Sequence, residues 1–234
     1  MKKNHRFLAL ALVLCGINAG ANAQTFTSNG INYEVTSTSP NKVKVADNSD
    51  YSGAAVIPSS VEYNSATYAV TAIGEWAFGN CSGLTSVTIG NSVTAIGNYA
   101  FYDCNGLTGT LTIPNSVTAI GNSAFSHCSG LASVTIPNSV TAIGERAFQG
   151  CIGLTGIDVA TGNLHYSSLD GVVFNKVHDT LILFSGGKTG SYIIPESVKT
   201  IGSSAFLFCI GLTSVTIGNS VEMIGELLLP VASA

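Results

Sequence analysis

Charge is scarce in this 234-residue sequence: only 9% of its residues are Asp, Glu, Lys or Arg, and nine are basic. A chain so poor in Lys and Arg lacks the positive footprint that nucleic acid or an anionic lipid surface requires. Histidine is nearly absent, with four residues at 5, 127, 165 and 178. No Cys-x-x-Cys pair and no His/Cys spacing of a zinc site occurs, so no metal site is expected. No Ser or Cys can be set beside a base from the sequence, so no catalytic constellation is expected either. Ser185-Gly186-Gly187-Lys188 lacks the spacing of a phosphate-binding loop, and no cofactor is expected. Beyond the first residues, no apolar run approaches the roughly 20 residues that a membrane-spanning helix needs.

The first residues are a case of their own. Lys2, Lys3 and Arg6 form a basic start, Phe7 to Val13 an apolar stretch, and Ala21-Asn22-Ala23 a small-x-small site before Gln24. That order is a secretory signal peptide over residues 1–23. Cys15 follows Leu14 rather than the small residue of a lipoprotein signal, so cleavage near Ala23 is expected. Without Lys2, Lys3 and Arg6 the chain keeps six basic against thirteen acidic residues, a formal charge of −7.

What the sequence has in abundance is repetition. Val70-Thr71-Ala72-Ile73-Gly74-Glu75-Trp76-Ala77-Phe78 recurs as Val93-Thr94-Ala95-Ile96-Gly97-Asn98-Tyr99-Ala100-Phe101. The frame returns from Val117, Val140 and Val198, and a degraded copy starts at Val221. Most units have 23 residues; the one from Val93 has 24. Within a unit, Ile96, Ala100, Phe101 and Cys104 fall at i, i+4, i+5 and i+8, the spacing of one face of a short helix. Gly106 follows as a helix stop. Val87 and Ile89 alternate with Ser86 and Thr88, as in a strand with one buried side. One such unit cannot bury its own apolar face; stacked units bury a continuous one.

The pattern Ile-Gly-x-x-Ala-Phe-x-x-Cys-x-x-Leu-x-x-Val-x-Ile-Pro resembles the BspA-like (type 5) leucine-rich repeats of bacterial surface proteins, over roughly Val70 to Gly225. Gly30 to Val35 and Val56-Ile57-Pro58 resemble that family's N-terminal cap. The resemblance implies an α/β solenoid: a right-handed superhelix with a parallel strand face and short helices opposite. It also implies an exported, non-enzymatic protein at the bacterial surface. Such a protein would mediate adhesion or protein–protein interaction, with a protein or glycan on a host or neighbouring cell as ligand. The alternative is a structural module that self-associates through its C-terminal repeat, or a truncated family member. Whether the exported chain stays in the periplasm or reaches the surface is open at this point.

The expected organisation is a β-rich cap over 24–69, repeats over 70–225 and an irregular tail over 226–234. Between Cys151 and Cys209 the spacing is 58 residues, and the excess over about 158–197 reads as an atypical β-hairpin repeat. Cys81, Cys104, Cys128, Cys151 and Cys209 share one repeat position. Stacking sets them about 5 Å apart, within disulfide range. Their parallel inward orientation favours a buried thiol ladder.

Two surfaces are candidates for partner binding. Ser86, Thr88, Ser133 and Thr135 face outward on the strand side, where solvated hydroxyls are the simpler reading and a recognition surface the other. Trp76, Tyr99 and Tyr102 are not required by the repeat frame, and stacking brings Trp76 and Tyr99 together. Exposed aromatics favour an interface; packing beneath the cap would explain Trp76 equally well. Leu207 and Phe208 form a separate apolar candidate near the C-terminal end. Export is the most direct test of this reading. N-terminal sequencing of the secreted product is expected to begin at Gln24, and a mature chain that retains Phe7 to Val13 contradicts it.

Overall fold

The computed structural model describes residues 24–226. The expected signal peptide and residues 227–234 of the expected tail lie outside the described residues. Three stretches of each repeat stack on the next. The first is a two-residue strand: Ala95–Ile96, Ala119–Ile120 and Ala142–Ile143 pair in parallel, Ile on Ile, and continue from Ile73 at the end of the strand Ala66–Ile73. The second is the longer strand of the Leu-x-x-Val-x-Ile pattern. Leu131–Ile136 lies parallel between Gly109–Thr112 and Gly156–Val159. Leu84–Ile89 pairs instead with Gly53–Ile57 of the N-terminal segment. The extra residue of the 24-residue unit falls between them, at Gly109 with φ +75°, where the pairing with Leu131–Ile136 also shifts register.

The third stretch corrects the sequence reading. Among the described residues there is no helix, so the short helices expected opposite the strands are replaced by consecutive turns. In the unit from Val93, Ala100 N–H donates to Gly97 O, Tyr102 to Tyr99 O, and Cys104 to Phe101 O, each three residues back. The residues in between donate out of the repeat: Tyr99 N–H to Asn122 O, Phe101 to Ala124 O, and Asp103 to Ser126 O, at 2.7–2.9 Å. A helix would turn all of these groups inward to their own chain. This alternation requires left-handed backbone at Tyr99 (φ +55°) and Asp103 (φ +56°), and the same two positions are left-handed in every full repeat. Each such residue costs roughly 1–2 kcal/mol outside glycine, less for Asn and Asp. A good inter-repeat hydrogen bond contributes about 0.5–1.5 kcal/mol and leaves no backbone donor stranded. The apolar positions are buried as the pattern demands, because consecutive turns and a helical turn place i, i+4 and i+8 on the same side. Ile96, Ala100, Phe101 and Cys104 are all buried.

Inside, the repeated frame builds ladders of like side chains. Phe78, Phe101, Phe125 and Phe148 stack at 5.0–5.3 Å with interplanar angles of 3–7°. The five cysteines are free and buried. Successive thiols donate to a backbone carbonyl of the preceding unit: Cys104 to Phe78, Cys128 to Phe101 and Cys151 to Phe125, all at 3.0 Å. The stack starts at Asn48, which occupies the place of a ladder Phe. Its N–H donates to Ala77 O and its carbonyl accepts from the Cys81 thiol. Its side chain points back and is satisfied by Asn32 N–H and Ala46 O. A polar residue at that place ends the Phe ladder without orphaning a buried group, while Tyr51 packs edge-on against Phe78 at 5.5 Å. Ahead of it, Thr25–Ser28, Ile31–Thr38 and Asn41–Val45 form an antiparallel meander whose last strand joins Ala66–Ile73 in parallel.

The excess between Cys151 and Cys209 is a three-stranded meander: Tyr166–Leu169, Val172–Asn175 and Thr180–Leu183. It runs through the core as a partition. Val173 packs into the larger N-terminal core, whereas Val172 and Phe174 belong to a second core with Leu181, Phe184 and Phe206. Asn163 fastens the meander to the repeat before it. Fully buried, it donates to Pro137 O and Val140 O and accepts from His165 and Tyr166 N–H. Beyond the partition the solenoid resumes, with Thr180–Leu183 on Thr200–Ile201 and Gly190–Ile193 on Leu212–Thr216.

The thiol ladder is testable by pH. Burial pushes the Cys151 thiol from 9.0 up to about 12. The folded chain therefore holds a proton there that the unfolded chain releases. The stability tied to that proton is complete below pH 9 and is lost as the pH rises from 9 towards 12. Urea unfolding followed across that window is expected to show a shallower loss in Cys151→Ala than in the parent chain. Equal slopes contradict a buried, neutral thiol at 151.

Candidate functional site

The turn ladder decides which side chains reach solvent. Along the turns, Ala and Phe point inward, and the residues before Ala and after Phe lie on the outer side, open at Trp76 and covered at Ser123 and Ser126. Trp76 and Tyr99 occupy the same left-handed position in successive repeats, and their rings stack at 4.6 Å with 9° between planes. Tyr102 closes against both, edge-on, at 5.4 Å and 5.9 Å. Trp76 is 40% exposed, with its ring laid over Gly79, where a Cβ would overlap Cε3. The structure therefore brings Trp76, Tyr99 and Tyr102 into one cluster on the turn side and leaves Trp76 open.

The cluster continues beyond the residues singled out in the sequence. His127 packs against Tyr102 at 5.6 Å and, on its other side, against Phe208 at 5.1 Å. The repeat between them carries Gly150 at the corresponding position. A Cβ there would fall 2.6 Å from His127 Nδ1. Glycine thus opens the lane through which the imidazole reaches the next repeat, and five rings form one strip from Trp76 to Phe208. Phe208 is 39% exposed, and Ile152 and Ile210, each one place after its cysteine, are exposed nearby. Phe208 is not a separate candidate but the far end of the strip. Leu207 instead lines a cavity of about 20 Å³, room for about one water, beside Phe148 and Phe184. Arg146 Nε reaches across this junction to Ser204 Oγ at 3.4 Å.

The strand side is different. Ser86 and Thr88 are exposed on a strand paired with Gly53–Ile57, whereas Ser133 and Thr135 belong to the sheet with Gly109–Thr112 and Gly156–Val159. Ser133 Oγ is hydrogen-bonded to Thr110 Oγ1 at 2.8 Å. The candidate hydroxyl surface is therefore split between two sheets, and one of its members is already engaged by its neighbour. Among the described residues no three His, Cys, Asp or Glu side chains gather as a metal site, and no helix is long and apolar enough to cross a membrane. One ion pair occurs among them, Lys44 with Glu34 at 3.0 Å in the cap.

Six copies of the BspA type leucine rich repeat region match residues 58–176 and 182–229. The chain belongs to the BspA-type leucine-rich-repeat family. Solved structures agree on the fold. A leucine-rich repeat protein from Eubacterium ventriosum is 24% identical with a TM-score of 0.61, over 88% of this chain and 63% of that one. One from Bacteroides ovatus is 27% identical with a TM-score of 0.59, over 86% of this chain and 55% of that one. A third, from Bacteroides capillosus, is 28% identical with a TM-score of 0.52, over 58% of this chain and 98% of that one. The chain thus spans less than two thirds of the length of the first two. Among curated proteins no match is found. Across this chain's own full repeats Ala, Phe and Cys recur in each turn while the residues of the aromatic strip do not.

Gly150→Ala tests whether glycine makes the strip continuous. A Cβ in left-handed backbone costs roughly 1–2 kcal/mol, and this one also displaces His127. Urea unfolding is expected to show a loss of that size, and NMR to show the His127 ring protons losing the ring-current shift from Phe208. An unchanged His127 environment contradicts the lane.

Proposed function

We propose that this chain is an exported, non-enzymatic binding protein that holds a macromolecular partner, a protein or glycan at the bacterial surface, through the aromatic strip on its turns, in an adhesive role. The strip carries the reading. Trp76, Tyr99 and Tyr102 are costly outward choices that neither the repeat frame nor the core needs, and one of them stands 40% exposed. Rigid, partly exposed aromatics of this kind are enriched where interfaces hold most of their energy. Membership of a leucine-rich-repeat family supports a binding module, and the N-terminal sequence pattern supports export. Ser86, Thr88, Ser133 and Thr135 form the reserve surface.

A second reading, self-association, has its own observation. Leu212–Thr216 and Met223–Ile224 are edge strands among the described residues, and Met223 and Ile224 are 63% and 48% exposed. Edge strands with apolar side chains invite pairing with another chain.

Binding of residues 24–234 to an array of host matrix proteins and glycans tests the first reading, with Trp76→Ala/Tyr99→Ala alongside. Saturable binding that falls at least about tenfold in the variant is expected, since losing a hot-spot pair costs about 2 kcal/mol or more. Binding that survives in the variant moves the site to the strand side. No binding, together with a concentration-dependent mass in size-exclusion chromatography, favours self-association.

A further inference from the structure

The charges around the strip are one-sided. Glu75 and Asp103 lie on turns that carry it, and Glu145 on the turn of Gly150 that it crosses. At its N-terminal end the loop with Asp47 and Asp50, both exposed, is bound directly to the first turn through Asn48 N–H to Ala77 O. Against these five carboxylates the turn side offers one cation, Arg146, which is turned towards Ser204 Oγ. Of the other basic residues, Lys44 on the cap strand Asn41–Val45 passes beside Gly74 but is paired with Glu34 at 3.0 Å, and Lys42 of that strand, Lys176 and Lys188 in the inserted segment and Lys199 beside the strand Thr200–Ile201 lie elsewhere. The negative charge thus gathers at the N-terminal end of the strip, around Trp76, Tyr99 and Tyr102, while the turns of His127 and Phe208 carry none.

Its shape narrows the partner further. Trp76 and Tyr99 each have one ring face covered by the other, and Tyr102 closes against both. That arrangement leaves Trp76, 40% exposed, as the most open ring of the three, with Tyr99 and Tyr102 half-buried. Narrow apolar ground beside carboxylates suits long side chains that lay an alkyl stem on the rings and carry a cationic head to the rim. We propose that the strip docks an extended, lysine- or arginine-bearing segment of a protein partner. The proposal rests on the strip being the binding surface and goes beyond it in naming the partner's chemistry.

Trp76 is the sole tryptophan of the chain, so its fluorescence reports on the strip alone. The probes are a 12-residue peptide of alternating Lys and Thr, its Glu/Thr counterpart, and a neutral β-linked oligosaccharide. The Lys/Thr peptide is expected to shift Trp76 emission saturably. Its apparent Kd should rise about tenfold between 0.05 and 0.5 M NaCl, as screening shortens the reach of the rim charges. Asp50→Asn/Glu75→Gln, at two exposed positions, is expected to weaken the peptide at least about threefold while leaving the unfolding midpoint unchanged. Equal response to the Glu/Thr peptide, or unaltered binding in the variant, overturns the proposal. A response to the oligosaccharide alone overturns the partner class but keeps the strip as the site. If array partners bind while Trp76 emission stays fixed with every probe and partner, the strip itself fails as the site.

Discussion

Alternate N–H groups in each turn of this solenoid find no acceptor within their own repeat. Phe101, Tyr99 and Asp103 donate to the repeat after their own, and the same holds for Trp76, Phe78 and Asn80 one unit before and for Ser123, Phe125 and His127 one unit further along. A buried donor left without a partner costs about 1–3 kcal/mol, so every repeat depends on its neighbour being in register. That dependence accounts for the unvarying length of the turn from Gly to Cys in each full repeat and for left-handed backbone at Tyr99 and Asp103. It also explains why the start of the stack needs Asn48, which completes the ladder with its main chain and ends it with its side chain.

The same constraint prepares the surface for function. Once the turns are held by main-chain bonds, their outward side chains are released from any structural duty. The other full repeats carry Ser123, Arg146 and Ser204 at the place before Ala. Here two successive repeats carry Trp76 and Tyr99, stacked at 4.6 Å. Two glycines shape the course of the strip: Gly79 gives the indole a bed, and Gly150 lets His127 cross a repeat to Phe208. The strip spans the junction where the meander splits the interior into two cores, so it joins surface elements whose interiors are separate.

Most of the buried frame is legible in the sequence. The spacing of Ile96, Ala100, Phe101 and Cys104 identifies the buried positions, and the alternation from Leu84 to Ile89 identifies the strand side. Helices were the wrong inference because apolar spacing of i, i+4 and i+8 does not separate a helix from consecutive turns. The signal that does separate them is Gly at 97 and Asp or Asn at 103 and 80, residues that favour turns and left-handed backbone over a helix interior. Trp76, Tyr99 and Tyr102 stood out because the frame does not ask for them. Phe208 could be seen, but not its union with them, because 58 residues separate Cys151 from Cys209 and only the fold shows His127 passing over Gly150. Asn48 gave no signal at all, since nothing near it in sequence looks like a repeat.

The inter-repeat ladder can be observed directly. In a deuterated, isotope-labelled sample, through-hydrogen-bond scalar coupling links a donor nitrogen to the carbonyl carbon it actually bonds. The account predicts couplings from Phe101 N to the carbonyl carbon of Ala124 and from Phe125 N to that of Ala147. Couplings from Phe101 to Gly97 and from Phe125 to Gly121, four residues back, would mean helices in place of the turns and would contradict it.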